Sequence, residues 1–403
     1  MKCAILSIGN ELIEGYTLNT NATTFSKKLN EIGVSITCHL TLNDNEDDII
    51  RAVTLLHKEN DLIVTSGGLG PTSDDLTRET LAKIFNRKLE VNEKILSQLK
   101  ADFAASNRPY SPTNDKQALF CKGDVILENE RGTAAGYYFT EDNTTYLVLP
   151  GPPFENEPMI NQFIRTLSNQ EMFEEDAFIT QLGESRIEFM IQDLYKKYED
   201  CYIGTYSHGV GVSIRVKSSN KDRVNQCIKE IKSIFKDNYL TNSVDPLQEL
   251  TTLLINNNLT ISLAESCTAG LCVSTLANYS GISKVLSESF VTYSASAKEE
   301  ILNVNESIIN TYGVVSQECA NAMSIGLYNK TKSIINVSIT GNAGPTTLED
   351  KPSGLVYFSI LYKGINYEYS NIFNGERNQV RIKASKYVLY ELLRILKKEY
   401  INE

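Results

Sequence analysis

The chain has 403 residues, with 39 Lys+Arg against 50 Asp+Glu and a formal net charge of −11. Hydrophobic residues at 41% and charged residues at 22% exclude a largely disordered chain, and the length suits two or three domains that each bury a core. The negative charge offers no long-range attraction to nucleic acid.

Only three histidines are present, His39, His57 and His208, and none lies beyond residue 208. The C-terminal half therefore cannot supply a Ser-His-Asp triad, a Cys-His pair or an HExxH zinc site from its own residues. Eight cysteines stand without a C-x-x-C pair, which suits reduced thiols in a reducing compartment. The opening run Met1–Leu6 is broken by Ser7, Gly9, Asn10 and Glu11, too soon for a signal-peptide core, and no apolar stretch reaches membrane-spanning length. A cytoplasmic protein is expected, with no membrane partner.

Taken in chain order, the first ~165 residues alternate short apolar runs with helical patterns, as in βαβ units. Cys3–Ile8 predicts a buried strand. Phe25, Leu29 and Ile32 share one helix face, which Gly33 can end. Val34, Ile36 and Cys38 alternate as a second strand. Leu62-Ile63-Val64 is a third, running into Ser66-Gly67-Gly68-Leu69-Gly70-Pro71 and then a helix with Leu81, Ile84 and Phe85. Ligands of open α/β sheets sit outside such carboxyl ends of strands.

Residues 166–245 read differently. Ile187, Met190, Ile191 and Leu194 form one helical stripe, and Val224, Cys227, Ile228, Ile231 and Phe235 form another. Between them Val210, Val212, Ile214 and Val216 alternate with Gly211, Ser213, Arg215 and Lys217, predicting a strand with one wet face. This is a small α+β module. The third unit, 246–403, opens at Asp245-Pro246, a good N-cap followed by proline at the first helical position. Later strands are predicted at Thr260–Leu263, Phe290–Thr292, Ile334–Ile339 and Leu355–Leu361.

In this third unit, reactive polar residues come directly after apolar strands. The segments are Ala264-Glu265-Ser266-Cys267-Thr268-Ala269-Gly270, Val291-Thr292-Tyr293-Ser294-Ala295-Ser296-Ala297-Lys298, Ile339-Thr340-Gly341-Asn342-Ala343-Gly344-Pro345 and Gly375-Glu376-Arg377-Asn378-Gln379-Val380-Arg381. Taken singly, each is an ordinary cap or turn. Together, without histidine, they point to a serine nucleophile with a lysine base, and the lysine must then lose its proton near neutral pH. Cys267 is a rival nucleophile without a histidine to activate it. Backbone N–H groups at the helix start after Gly270 suit an oxyanion or a phosphate. Ser233 and Lys236 match an S-x-x-K spacing, but they lie on an amphipathic helix with no glycine-rich partner loop.

These four segments, with Lys351-Pro352-Ser353-Gly354-Leu355-Val356-Tyr357, resemble the C-terminal domain of the CinA family. The resemblance implies a nicotinamide mononucleotide deamidase that forms nicotinate mononucleotide and ammonia without a cofactor. It implies Ser266 as nucleophile, Lys298 as base, Tyr293 assisting by hydrogen bonding and Arg377 holding charge. Thr268, Gly270, Thr340, Gly341 and Gly344 would line the substrate. Ala269, Ala295 and Thr346-Thr347 depart from the family pattern, removing a glycine, an asparagine and a glycine-rich pair.

The N-terminal segments Ile8–Gly15, Thr65–Thr77, Asn129–Gly136 and Leu149–Pro153 resemble the MogA-like, molybdopterin-binding-type domain of the same family. The resemblance implies a three-layer α/β domain over 1–165, associated with metal-dependent ADP-ribose pyrophosphatase activity in pyridine-nucleotide salvage. Gly67, Gly68, Gly70 and Glu11 are its candidate substrate-binding residues. Asp44, Asp74 and Asp75 are hard oxygen donors for Mg²⁺, Mn²⁺ or Co²⁺, although acids before a helix equally complement its dipole. The same loop suits a pterin. The middle module resembles the family's KH-like insert, entered at Gly183-Glu184-Ser185. It lacks a Gly-x-x-Gly clamp and is read as a spacer or homodimerisation unit. An alternative reading makes the chain a catalytically weak binding partner in competence or recombination.

Overall fold

In β1 (Lys2–Ile8), six successive buried residues alternate between two hydrophobic cores, as a strand covered on both faces requires. Cys3 and Ile5 meet Phe25 and Leu29 of α2 (Thr20–Glu31) and Ile160 and Phe163 of α6 (Pro153–Ile164). Ala4, Leu6 and Ile8 meet Ile49, Val53 and Leu56 of α3 (Glu46–Leu56) and Leu81 of α4 (Thr77–Ile84). Helices on both faces give a three-layer α/β domain. The computed structural model describes residues 1–167 and 172–400, and packing divides the chain into two units, Met1–Met172 and Phe173–Glu403.

The sheet of the first unit joins β2 (Ser35–Leu42), β1, β3 (Leu62–Ser66), β8 (Thr144–Leu149), β7 (Gly136–Glu141) and β6 (Val125–Leu127) in that order. Its first four strands are parallel, and β7 and β6 continue antiparallel. The single turn α1 (Asn10–Ile13) comes after β1. A small antiparallel pair, β4 (Leu89–Val91) and β5 (Leu119–Cys121), brackets α5 (Glu93–Ala105). The expected end of α2 is found: the helix stops at Glu31, and Gly33 has φ +80°.

The second unit contains two modules. The first is an antiparallel sheet, β10 (Tyr202–Ser207), β11 (Gly211–Ser218), β9 (Phe173–Thr180) and β12 (Tyr239–Thr241), carrying α7 (Glu184–Lys197) and α8 (Lys221–Phe235). Its expected wet face is partly covered. Ser213 is buried, and a Cβ on Gly211 would lie 2.2 Å from the Phe178 ring. The cause is the neighbouring module: Phe178 of β9 and Leu240 of β12 belong to the same hydrophobic core as α9 (Pro246–Asn256) and α14 (Arg377–Tyr400). The middle module is thus welded to the C-terminal module rather than strung between domains.

The C-terminal module orders its strands β14 (Phe290–Val291), β13 (Ile261–Glu265), β15 (Ile335–Gly341), β16 (Leu355–Tyr362) and β17 (Ile365–Ile372). The first three are parallel, so the ends of β13 and β14 open on the same edge. The last two return antiparallel. Four predicted strands are present; β17, polar at alternate positions, lies at the sheet edge. The predicted start of α9 is present too, Asp245 accepting from the N–H groups of Leu247 and Gln248. One face carries α9, α10 (Leu271–Ala277) and α14. The other carries α11 (Ala295–Leu302), α12 (Glu306–Tyr312) and α13 (Gln317–Thr331). All eight cysteines are free, and among the described residues no helix is long and apolar enough to cross a membrane.

Close approach of α13 to α11 needs a glycine. A Cβ on Gly326 would lie 1.9 Å from the Leu302 carbonyl oxygen. Gly326→Ala is expected to lower the unfolding free energy by about 1–3 kcal/mol despite the better helix propensity of alanine. Chemical denaturation measures this, and an unchanged midpoint would contradict the contact.

Candidate active site

The site starts at the end of β13, where the buried strand turns at Ser266. The Ser266 N–H donates to the Ile339 carbonyl of β15 at 2.9 Å, so the neighbouring strand fixes the turn. On the other side the Thr292 N–H donates to the Glu265 carbonyl at 2.8 Å. Ser294 then caps α11 by accepting from the Ala297 N–H at 3.1 Å, and Lys298 falls in the first helical turn. Helical side chains lean toward their own N-terminus, which sends this lysine back to the strand ends.

There its Nζ donates to Ser266 Oγ at 3.0 Å and to the Thr292 carbonyl at 2.8 Å. Lys298 is 1% exposed and Ser266 7%. Burial lowers the lysine pKa; Cys319, Cys267 and Glu349 oppose the shift without reversing it. Burial also raises the Cys267 thiol to about 12, which keeps it protonated and removes it as a rival nucleophile.

The helix start offered by the sequence as an anion site is already filled by an anion of the chain itself. Glu265, fully buried, accepts from the N–H groups of Cys272 at 3.1 Å and Val273 at 2.9 Å. The turn between them puts Ala269 at φ +51° and Gly270 at φ +87°. Alanine thus occupies a left-handed position where the family pattern has glycine, and the turn is still formed.

A second cluster lies at the mouth. Arg377 donates through Nη1 to the Gly344 carbonyl and through Nη2 to the Tyr293 hydroxyl, each at 2.7 Å. Tyr293 is 57% exposed, unlike the pair below it. The loop carrying Gly344 is clamped by Glu349, which accepts from the Val314 N–H at 2.6 Å and the Val315 N–H at 3.1 Å. Lys351 adds a bond to the Val315 carbonyl at 2.6 Å.

Other expected lining residues do structural work. The Thr340 hydroxyl donates to the Val314 carbonyl at 2.6 Å. Thr268 is fully buried, and its carbonyl accepts from Arg381 at 3.1 Å. A Cβ on Gly341 would lie 2.5 Å from the Leu355 carbonyl oxygen, so strand pairing already requires glycine there. Gly270 is the αL cap of α10. Four functional side chains had no assigned role from sequence: Glu265, Glu349, Lys351 and Arg381. Glu265, Lys351 and Arg381 lie inside the recognised motifs, but nothing in the spacing signals their bonds. The Ser233–Lys236 pair is exposed, with Ser233 on α8 and Lys236 at its C-cap, away from any such loop.

In the first unit, Gly67 and Gly68 have φ +106° and +69°. Cβ atoms there would lie 2.0 Å from the Ile8 carbonyl oxygen and 2.1 Å from Thr77 Oγ1, and one on Gly70 would lie 2.5 Å from the Asp75 carboxylate. The glycines let this loop fold on itself. Among the described residues no three His, Cys, Asp or Glu side chains converge to hold an ion, those of Asp44, Asp74 and Asp75 included. The reason is local bonding. Asp75 accepts from the Thr72 N–H at 2.9 Å and its hydroxyl at 2.5 Å, and Asp44 accepts from the Asn10 N–H at 2.9 Å. Burial raises the Asp44 pKa, against the Asn10 bond and with help from the negative charges of Glu11, Asp74 and Asp75. The four acids share one neighbourhood without forming a ligand set.

Family comparisons agree with this arrangement. The model "CinA C-terminal domain" matches residues 245–396, "Probable molybdopterin binding domain" matches 4–169, and "Damage-inducible protein CinA KH domain" matches 179–239. A putative competence-damage inducible protein of Clostridium beijerinckii is 37% identical over 409 residues, covering 98% of this chain and 100% of that one. Its counterpart in Clostridioides difficile is 34% identical over 411 residues, covering 97% and 98%. A solved CinA structure from Thermoplasma acidophilum, 30% identical, covers 41% of this chain and 96% of its own, with a TM-score of 0.38. Fold and matches define a three-module α/β protein with a molybdopterin-binding-type domain, a KH-like module and a C-terminal CinA domain. The chain belongs to the CinA family.

The lowered lysine pKa makes a stability prediction. Between the folded-state pKa of Lys298 and the ordinary lysine value of 10.5, the unfolded chain binds more protons than the folded one. Stability from this group therefore rises with pH across that window. The melting temperature of the natural protein minus that of Lys298→Met should increase as pH is raised from neutral toward 10.5. A difference independent of pH would show that the buried amine does not titrate abnormally.

Proposed function

We propose that the C-terminal domain is an amidohydrolase that converts nicotinamide mononucleotide to nicotinate mononucleotide and ammonia. The observation that carries this reading is the 3.0 Å contact between Lys298 Nζ and Ser266 Oγ in a nearly dry site. A neutral, desolvated lysine is a base strong enough to take the serine proton, and no imidazole is available for the task.

Ser266 Oγ attacks the carboxamide carbon while Lys298 takes its proton. The tetrahedral intermediate collapses as Lys298 returns that proton to the departing nitrogen, releasing ammonia and leaving an acyl ester on Ser266. Water then attacks the ester with Lys298 again as base, freeing the carboxylate and the serine hydroxyl. The Ser266 N–H is engaged with Ile339, so it is no oxyanion donor. The N–H groups of Cys267 and Thr268 make no backbone hydrogen bond among the described residues and stand next to the nucleophile, where an oxyanion develops. Arg377, held by Tyr293 and Gly344, keeps further N–H donors for the phosphate at the mouth.

For the N-terminal unit the reading is ligand binding at the Gly67–Gly70 loop. The N–H groups of Gly68, Leu69 and Gly70 make no backbone hydrogen bond among the described residues, which suits a phosphate or a pterin. ADP-ribose cleavage there would need a bound divalent ion, with Asp44, Asp74 and Asp75 as the candidate oxygen donors.

Ammonia release from nicotinamide mononucleotide should fall by about 10³–10⁴-fold in Ser266→Ala and in Lys298→Ala, and hardly further in the double variant, because the two act as a unit. For the natural protein, kcat/KM should rise with pH as Lys298 loses its proton, with its midpoint below the ordinary lysine value. Undiminished release by Ser266→Ala would overturn the assignment.

A further inference from the structure

The second unit encloses a cavity of about 530 Å³, within the range of roughly 300–1,000 Å³ typical of small-molecule sites. It lies between the KH-like module and the C-terminal domain, and it shares α10 with the Ser266 site but none of the Ser–Lys or Arg377 residues. One wall is aromatic. The His208 and Phe178 rings stack with centroids 5.4 Å apart, and Tyr390 meets Phe178 edge-on at 5.4 Å. His208 Nε2 bonds Ser213 Oγ at 2.9 Å, and burial together with nearby Lys386 lowers the imidazole pKa.

The charges on the lining are unequal. The Asp245 carboxylate is already used: it accepts from the Tyr279 hydroxyl through both oxygens at 2.9 Å and from the first N–H groups of α9. Lys386, half-buried on α14, has no hydrogen bond or ion pair among the described residues. Asn278 at the rim presents an amide. A cavity with an aromatic wall, a lysine without a direct partner and one amide suits an aromatic ring joined to an anion.

We propose that this cavity is a second small-molecule site, taking a nucleoside monophosphate or a ligand of the same chemistry. Its ring lies against His208, its anion on Lys386 and its polar edge toward Asn278. The site does not depend on the deamidase reading, since it uses none of those residues.

Isothermal titration of the full chain with AMP, adenosine and inorganic phosphate tests this. AMP should bind more tightly than either fragment. Lys386→Ala should weaken it by roughly tenfold or more, the loss expected for a charge-assisted contact, while Lys386→Arg retains it. Arg377→Ala, in the other site, should leave it unchanged. If Lys386→Ala fails to fold, Asn278→Asp at the exposed rim should weaken AMP by charge repulsion. Absence of AMP binding at about 1 mM, the weak end of specific affinity, would overturn the proposal. An affinity indifferent to Lys386→Ala, lost in Arg377→Ala, or matched by adenosine or phosphate alone would overturn it as well.

Discussion

A lysine amine taken out of water is the constraint on which the C-terminal domain depends. Lys298 is held by Ser266 Oγ and the Thr292 carbonyl at 1% exposure. Burying an ammonium without a carboxylate partner is costly, and the cost falls when the proton leaves. The environment thus favours the neutral amine, the form that could serve as the base in the proposed reaction. The same burial makes Cys267 inert, so one physical cause selects both the base and the nucleophile.

Glu265 ties this pair to the sheet. Its carbonyl receives the Thr292 N–H, and the Thr292 carbonyl in turn receives Lys298; its carboxylate receives the first N–H groups of α10. Ser266 comes next, pinned to β15. The asparagine missing at Ala295 is therefore not needed to orient the lysine, because backbone geometry does so. Positioning by strands and by a capped helix is more rigid than positioning by a free loop. Arg377 and Tyr293 lie outside this frame, at the solvent-exposed mouth.

Much of this was legible in the sequence. Continuous apolar runs located β1, β3 and β13, period-3.6 patterns located α2, α8 and α9, and the Asp245-Pro246 cap marked where α9 starts. The absence of histidine after residue 208 led to a Ser/Lys pair, and the structure brings Ser266 and Lys298 into contact. What remained hidden depends on which way a side chain turns. Thr340 reads as a substrate contact, yet its hydroxyl is spent on the Val314 carbonyl. Asp44 and Asp75 read as metal ligands or caps, and each accepts a backbone N–H that the sequence does not reveal. Glu265 read only as part of a motif, because burial of a carboxylate against a helix start leaves no periodic trace. The edge strand β17 escaped because its face carries polar residues. The cover over Ser213 came from a core shared with α14, a long-range contact that no local pattern encodes.

The central claim is that Lys298 in the resting protein gives up its proton more easily than an ordinary lysine. Carbon-13 NMR titration of Cε-labelled lysines, with Lys298 assigned by its absence in Lys298→Arg, measures that directly. The account predicts one lysine titrating below the others, still depressed in Ser266→Ala because burial is the largest cause of the shift. A Lys298 that titrates with the surface lysines would contradict it.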